Sequence, residues 1–144
     1  MIIVLDAGII ASGLVRVTDA GSTTGSVMRL VVSGGVSNVT SDYILDEAER
    51  ALANKRYFRQ RFSDERRRGA VDAMRTLSLV VTLPDAIPRV APHRHDDAVL
   101  ATVAASGADW FVTGDAGLLA MRSYAGIPFA DPAQFLDVLK ADEG

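Results

Sequence analysis

The chain has 144 residues, 49% apolar and 23% charged, the profile of one compact domain (1–144) large enough to bury a core, and this composition excludes disordered, collagen-like and coiled-coil readings. No apolar run approaches the roughly 18 residues needed to cross a bilayer, the opening MIIVLDAG lacks a signal peptide's basic region, and cysteine is absent; a soluble cytosolic protein is expected, with any metal on oxygen or imidazole ligands. The net charge of −3 is uneven: nine basic residues between Arg50 and Arg75 face three acids there, giving that window +6 and the rest of the chain −9, the split of a basic rim for a polyanion beside an acidic pocket for a cation.

In chain order, Ile2–Leu5 is a short β-branched run that ends abruptly at Asp6, as a strand buried on both faces does. Further strands are expected at Ser37–Thr40, Leu79–Leu83, Trp110–Val112 and Ile127–Ala130, the last demoted towards a sheet edge by Pro128. Helical periodicity falls near 8–16, 24–33, 42–54, 63–77, 96–106, 116–122 and 132–140, with Ser41 or Asp42, Ser63 and Asp131-Pro132 as starts. This alternation implies a parallel sheet covered by helices on both faces. The proline-rich Pro84–His95 segment is the one long connection.

In such a sheet ligands bind beyond the carboxyl ends of the strands, so acids at strand ends and helix starts share one crevice. Asp6 ends the first strand, Asp115 follows the Trp110–Val112 strand after Thr113-Gly114, and Asp96 and Asp97 open the helix Ala98–Ser106. Each has a plain structural explanation. Asp115 serves as a helix cap, worth about 1 kcal/mol, and Asp96 or Asp97 as a first-turn carboxylate favoured by the helix dipole. That helix is apolar almost all round, however, and a carboxylate entering it needs a partner. Asp6 is followed by Ala7 and Gly8, which supply no cation. In the helix Asp42–Asn54, Glu47 and Glu49 border opposite sides of the apolar stripe while Asp46 faces solvent, and periodicity does not choose between the glutamates.

Carboxylates gathered in one crevice repel by about 4 kcal/mol per pair at 4 Å and an effective dielectric of 20, a cost that a divalent cation removes. Such an ion also lowers the pKa of a bound water and clamps a phosphate oxygen, the two services needed to hydrolyse a phosphodiester. Oxygen ligation favours Mg²⁺ or Mn²⁺ over Zn²⁺. His93 and His95 flank Arg94 without a defined third ligand and are read as loop or phosphate-proximal residues, and Trp110 as a core residue.

Four strings in register, Ile3-Val4-Leu5-Asp6, Ser41–Leu52, Asp97-Ala98-Val99-Leu100-Ala101 and Val112-Thr113-Gly114-Asp115 followed by Leu118-Leu119, resemble the PIN domain family of metal-dependent ribonucleases over the whole chain. The TGD turn and the proline-bearing segment from Gly126 to Leu136 are most similar to the toxin components of toxin–antitoxin modules. The resemblance implies a three-layer α/β/α Rossmann-like fold with a mainly parallel sheet of about five strands. It implies an endoribonuclease using Mg²⁺ or Mn²⁺ held by Asp6, Glu47, Asp97 and Asp115, with Thr113 and Asp96 supporting. RNA is the implied substrate, and Arg50, Arg56, Arg59, Arg94 and Arg89 are candidate phosphate contacts. An antitoxin and a second copy of the chain are implied partners, with Ile9–Val15 and Gly25–Val32 as candidate surfaces unless core packing claims them. One departure stands out: the family follows its first acid with a hydroxyl residue and then asparagine, where this chain has Ala7 and Gly8. Loss of such supporting hydrogen bonds costs about 10- to 100-fold in metal affinity or activity. A rival reading is therefore a PIN-fold protein that acts mainly by binding a protein or RNA partner. A phosphohydrolase with Asp6 as covalent nucleophile requires a second aspartate two residues on, where Gly8 stands.

Overall fold

Short β-branched runs and amphipathic helices alternate along the chain, and they condense into a three-layer α/β/α structure. The computed structural model describes residues 1–143. In chain order the elements are β1 (Ile2–Leu5), α1 (Ala7–Val15), α2 (Thr23–Ser33), β2 (Ser37–Thr40), α3 (Asp42–Asn54), α4 (Arg56–Arg59), α5 (Asp64–Leu77) and β3 (Leu79–Val80). After a long connection come a 3-10 turn (Arg94–Asp96), α6 (Asp97–Ser106), β4 (Trp110–Val112), α7 (Ala116–Met121), β5 (Ser123–Tyr124), β6 (Ile127–Ala130) and α8 (Pro132–Glu143).

The sheet runs β3-β2-β1-β4-β6-β5, parallel except for the β5–β6 pair. β1 lies between β2 and β4, so the chain crosses from one side of its first strand to the other, and the crevice beyond the ends of β1 and β4 is the topological switch point. Ile3, Val4, Leu5, Phe111 and Val112 are fully buried there. α6 packs across β1 and β2, α8 packs on β4 and β6, and Phe111 meets Phe129 edge-on at 4.9 Å between ring centroids.

Three expectations are revised. The Leu79–Leu83 run forms only two strand residues, because Thr82 and Leu83 leave the sheet ahead of Pro84. A sixth strand, β5, covers β6, so Pro128 is one strand in from the edge, facing Ser123 across an antiparallel pair. The stretches Ile9–Val15 and Gly25–Val32 pack mainly against each other and the core: Ile9, Ile10, Val27, Met28 and Val31 are buried, and only Val32 stays well exposed. Gly25 permits this helix contact, since a Cβ there would lie 2.1 Å from the carbonyl oxygen of Arg16.

The β5–β6 turn places both Ala125 (φ 52°) and Gly126 (φ 79°) in the left-handed region, as tight primed hairpin turns do. Alanine is strained there, whereas asparagine tolerates the conformation. Ala125→Asn is expected to raise stability by about 0.5–1 kcal/mol in urea denaturation; a loss of stability would contradict this account of the turn.

Candidate metal centre

The site begins with the end of β1. Leu5 pairs with Val112 of β4, and the Asp6 backbone N–H donates to the Val112 carbonyl oxygen at 2.9 Å, so both chains leave the sheet side by side. Asp6 caps α1, accepting the Ala7 N–H on Oδ1 at 2.8 Å. The buried Thr113 hydroxyl donates to Asp6 Oδ2 at 2.7 Å and accepts the Asp115 N–H at 3.1 Å, tying the two strand ends together. Asp115 caps α7 by accepting the Leu118 N–H on Oδ1 at 2.9 Å. The capping reading of Asp115 is therefore correct, but a carboxylate has about four lone-pair directions, and capping leaves some of them free.

The third wall comes from the 3-10 turn. Asp96 is 7% exposed, its Oδ1 stands 3.6 Å from His95 Nε2, and its Oδ2 is buried with no hydrogen-bond partner. Asp6, Glu47 and Asp96 line one cavity of about 270 Å³ together with Ala7, Gly8, Arg50, Ala51, Lys55 and His95. Burial raises the Asp96 pKa above its ordinary 3.8, His95 offsets part of this, and the charges of Asp6, Asp115 and Glu47 raise it further. Burial likewise raises Asp6; the Thr113 and Ala7 hydrogen bonds oppose the shift and Asp115 reinforces it. The charges of three acids from three other segments thus converge on Asp96, and one of them, Asp115, also acts on Asp6. Among the described residues no three of these acids already stand at the spacing of a formed ligand set.

The resemblance put Asp97 at the metal; in the structure Asp96 lines the cavity and the Asp97 carboxylate is engaged by backbone outside it. Asp97 Oδ1 accepts the N–H groups of Val90 and Ala91 at 2.9 and 2.7 Å, bonds that hold its carboxyl below the usual range, with Arg89 and Arg94 adding to the effect. Asp97 thus clamps the Pro84–His95 connection from the first turn of α6, while Asp96, one residue earlier and still in the 3-10 turn, reaches the cluster. Arg89 and Arg94 accordingly sit with Asp97 rather than in the acidic pocket. Tyr43 secures the same connection from α3: its hydroxyl donates to the His95 carbonyl at 2.7 Å, and burial beside Glu47 pushes its pKa up to about 12.

Of the two glutamates that periodicity left open, Glu47 lines the acidic cavity, whereas Glu49 lines a separate one with Asp46, Arg50, Ala53 and Arg67. Arg50 borders both. Arg56 and Arg59 are exposed on α4. Lys55, missed in the sequence, joins Arg50 on the cavity wall because α3 ends there in an extended residue that starts α4. A lysine inside an arginine-rich run carries no local signal that would single it out.

The donor set suits a hard divalent cation. It consists of carboxylate oxygens, one of them buried without a partner, in a pocket whose own charges oppose ionisation. The sign of the pH dependence follows. Raised carboxyl pKa values mean that the folded chain binds these protons more tightly than the unfolded chain, so this contribution to metal-free stability falls as pH climbs from about 3.8 through the raised values. Asp96→Asn is expected to melt higher than wild type at pH 7 in EDTA, with the advantage fading towards acid. A lower melting temperature at pH 7 would contradict the repulsion.

No curated protein and no solved structure matches the chain. A family model described as PIN domain matches residues 2–117, from the start of β1 to the turn that carries Asp115. The chain belongs to the PIN domain family, a fold that is generally a metal-dependent nuclease.

Proposed function

We propose that the protein is an endoribonuclease that hydrolyses RNA phosphodiesters with Mg²⁺ or Mn²⁺ held by Asp6, Glu47, Asp96 and Asp115. The observation that carries this reading is that Asp96, which has a buried oxygen without a hydrogen-bond partner, lines one cavity with Asp6 and Glu47. When bound, the cation would supply an activated water and a clamp on a phosphate oxygen. The chain's own residues do the rest. Thr113 fixes the Asp6 carboxylate and the TGD backbone in one orientation. Arg50 and Lys55 place positive charge on the same wall, where a phosphate diester entering the pocket would be neutralised and oriented. Asp97 and Tyr43 hold the connection that carries His95 and Asp96 and so act as positioning residues.

The role as a toxin of a toxin–antitoxin pair, acting in the cytoplasm, rests on the likeness of the TGD turn and the Gly126–Leu136 segment to such toxins; a cognate antitoxin and a homodimer belong to that part of the proposal. Among the described residues, no helix is long and apolar enough to cross a membrane. A second reading is supported by one feature. Ala7 and Gly8 bring no polar side chain to the cavity they line, and a Cβ at Gly8 would meet nothing within 4 Å, so the place of a supporting side chain is open space. On that reading the chain keeps the fold and acts mainly by binding a protein or RNA partner.

Cleavage of single-stranded RNA in Mn²⁺ separates the two. The nuclease reading expects cleavage by wild type and a loss of at least ~100-fold in Asp6→Asn and Asp96→Asn. Asp97→Asn, which keeps an oxygen for the Val90 and Ala91 N–H groups, is expected to retain most activity while melting lower. Equal rates for wild type, Asp6→Asn and Asp96→Asn would remove the mechanism and leave the binding reading.

A further inference from the structure

Helix α1 connects the acidic cavity to a second feature that the reaction does not use. Its first residues, Ala7 and Gly8, line the cavity, and Arg16 caps its far end. Nine helical residues advance about 13 Å. The Arg16 guanidinium lies over the Tyr57 ring at 4.8 Å from its centroid, and the Arg61 guanidinium lies over the same ring at 3.6 Å. Arg61 is held in place by its Nη1–H donating to the Tyr57 carbonyl oxygen at 2.9 Å. Tyr57 stands on α4, two residues beyond Lys55 of the cavity wall, and remains 38% exposed. The cavity wall residue Lys55 is thus two residues along the chain from an aromatic ring covered by two cations.

Packing alone explains this cluster poorly. Among the described residues neither Arg16 nor Arg61 forms an ion pair with a carboxylate, and the neighbouring Arg56 and Arg59 form none either. Cation–π contacts with an exposed ring contribute about 0.5–1 kcal/mol each, too little to explain gathering Arg56, Arg59 and Arg61 without ion pairs on one short helix and its flank, with Arg16 of the α1 end against the same ring. Phe58, the other aromatic residue of α4, turns inward against the core and meets Tyr57 edge-on, which fixes the Tyr57 ring at the surface. Both guanidinium groups lie over the Tyr57 ring, and contacts this weak yield to a nucleobase stack of about 1–3 kcal/mol while the released cations pair with phosphates. Single strands take this arrangement because their bases are free to stack, whereas paired bases are not.

We propose that Tyr57, Arg16 and Arg61 form a stacking subsite for single-stranded RNA, two residues along the chain from Lys55 of the cavity wall, that holds the strand so that a neighbouring phosphodiester enters the pocket. The inference rests on the nuclease reading for its purpose, but its binding chemistry is independent of metal and of cleavage. The three residues therefore act on substrate affinity and on where the strand is cut, and not on the chemical step.

The test is fluorescence anisotropy of end-labelled single-stranded oligoadenylate with the full chain in EDTA, where no cleavage competes. Tyr57→Ala is expected to weaken binding about 5- to 150-fold, the range given by the 1–3 kcal/mol of one base–aromatic stack, with the slope of log affinity against log salt unchanged. Tyr57→Phe keeps the ring and is expected to bind like wild type. Arg16→Gln and Arg61→Gln are each expected to flatten the salt slope by about 0.7, the loss of one phosphate contact on a single strand. Wild-type affinity in Tyr57→Ala, or equal weakening in Tyr57→Phe and Tyr57→Ala, would overturn the subsite. Repeating the series in Mn²⁺ keeps the two readings apart. Cleavage whose KM ignores Tyr57→Ala sinks the subsite alone, whereas ring-dependent binding without cleavage by wild type sinks the nuclease reading and leaves the subsite standing.

Discussion

The Asp6 and Asp96 carboxylates are held where burial makes their ionisation harder, with the charge of Asp115 adding to the effect on Asp6 and the charges of Asp6, Asp115 and Glu47 adding to it on Asp96. Asp6 at the end of β1 and Asp115 after β4 are brought together by the parallel β1–β4 pair, and Thr113 joins them by accepting from one and donating to the other. A fold that gathers like charges at its switch point gives up stability there. On the proposed reading it recovers that stability when a cation occupies the place between the carboxylates. The hydrophobic core beneath, with β1 and β4 buried in its centre, is what makes the arrangement affordable.

The pocket is not purely anionic. Arg50 and Lys55 share the wall with Asp6, Glu47 and Asp96, and His95 stands against Asp96. Acids on one side and bases on the other match a ligand pair of opposite sign, a cation together with a phosphate. The +6 window between Arg50 and Arg75 extends that basic side along α4 and α5, away from the pocket. The excess of bases thus lies on α4 and α5, whereas Asp6, Asp96 and Asp115 sit at strand ends and helix starts.

Most of the architecture was legible because its signals are local. The burst of β-branched residues before Asp6, the helical stripe of 42–54 and the Thr-Gly-Asp turn each specify their own element, and α3 has the bounds that its periodicity sets. Non-local consequences were harder to read. β5 has only two residues and exists because β6 offers it an edge, and α4 is a single short turn whose ends depend on packing against α1 and α3. Adjacent aspartates posed the same problem at the site. Asp96 and Asp97 share residue type and burial, and their roles diverge only because the connection before them folds back to offer Val90 and Ala91 N–H groups to one of the two. Family likeness pointed to Asp97, whereas the backbone of the 3-10 turn turns Asp96 towards Asp6. Glu47 and Glu49 were separated by tertiary contact in the same way, the second being drawn to the α5 side beside Arg67.

The central claim is that Asp6, Glu47, Asp96 and Asp115 surround the place of a divalent cation and that Asp97 does not. Anomalous diffraction from crystals grown with Mn²⁺ tests this most directly, because it locates the ion without reference to activity. The account predicts a peak in the cavity between Asp6 and Asp96, with Asp97 still bonded to the Val90 and Ala91 backbone. A peak ligated by Asp97, or a fully occupied Mn²⁺ site elsewhere with none beside Asp96, would contradict it.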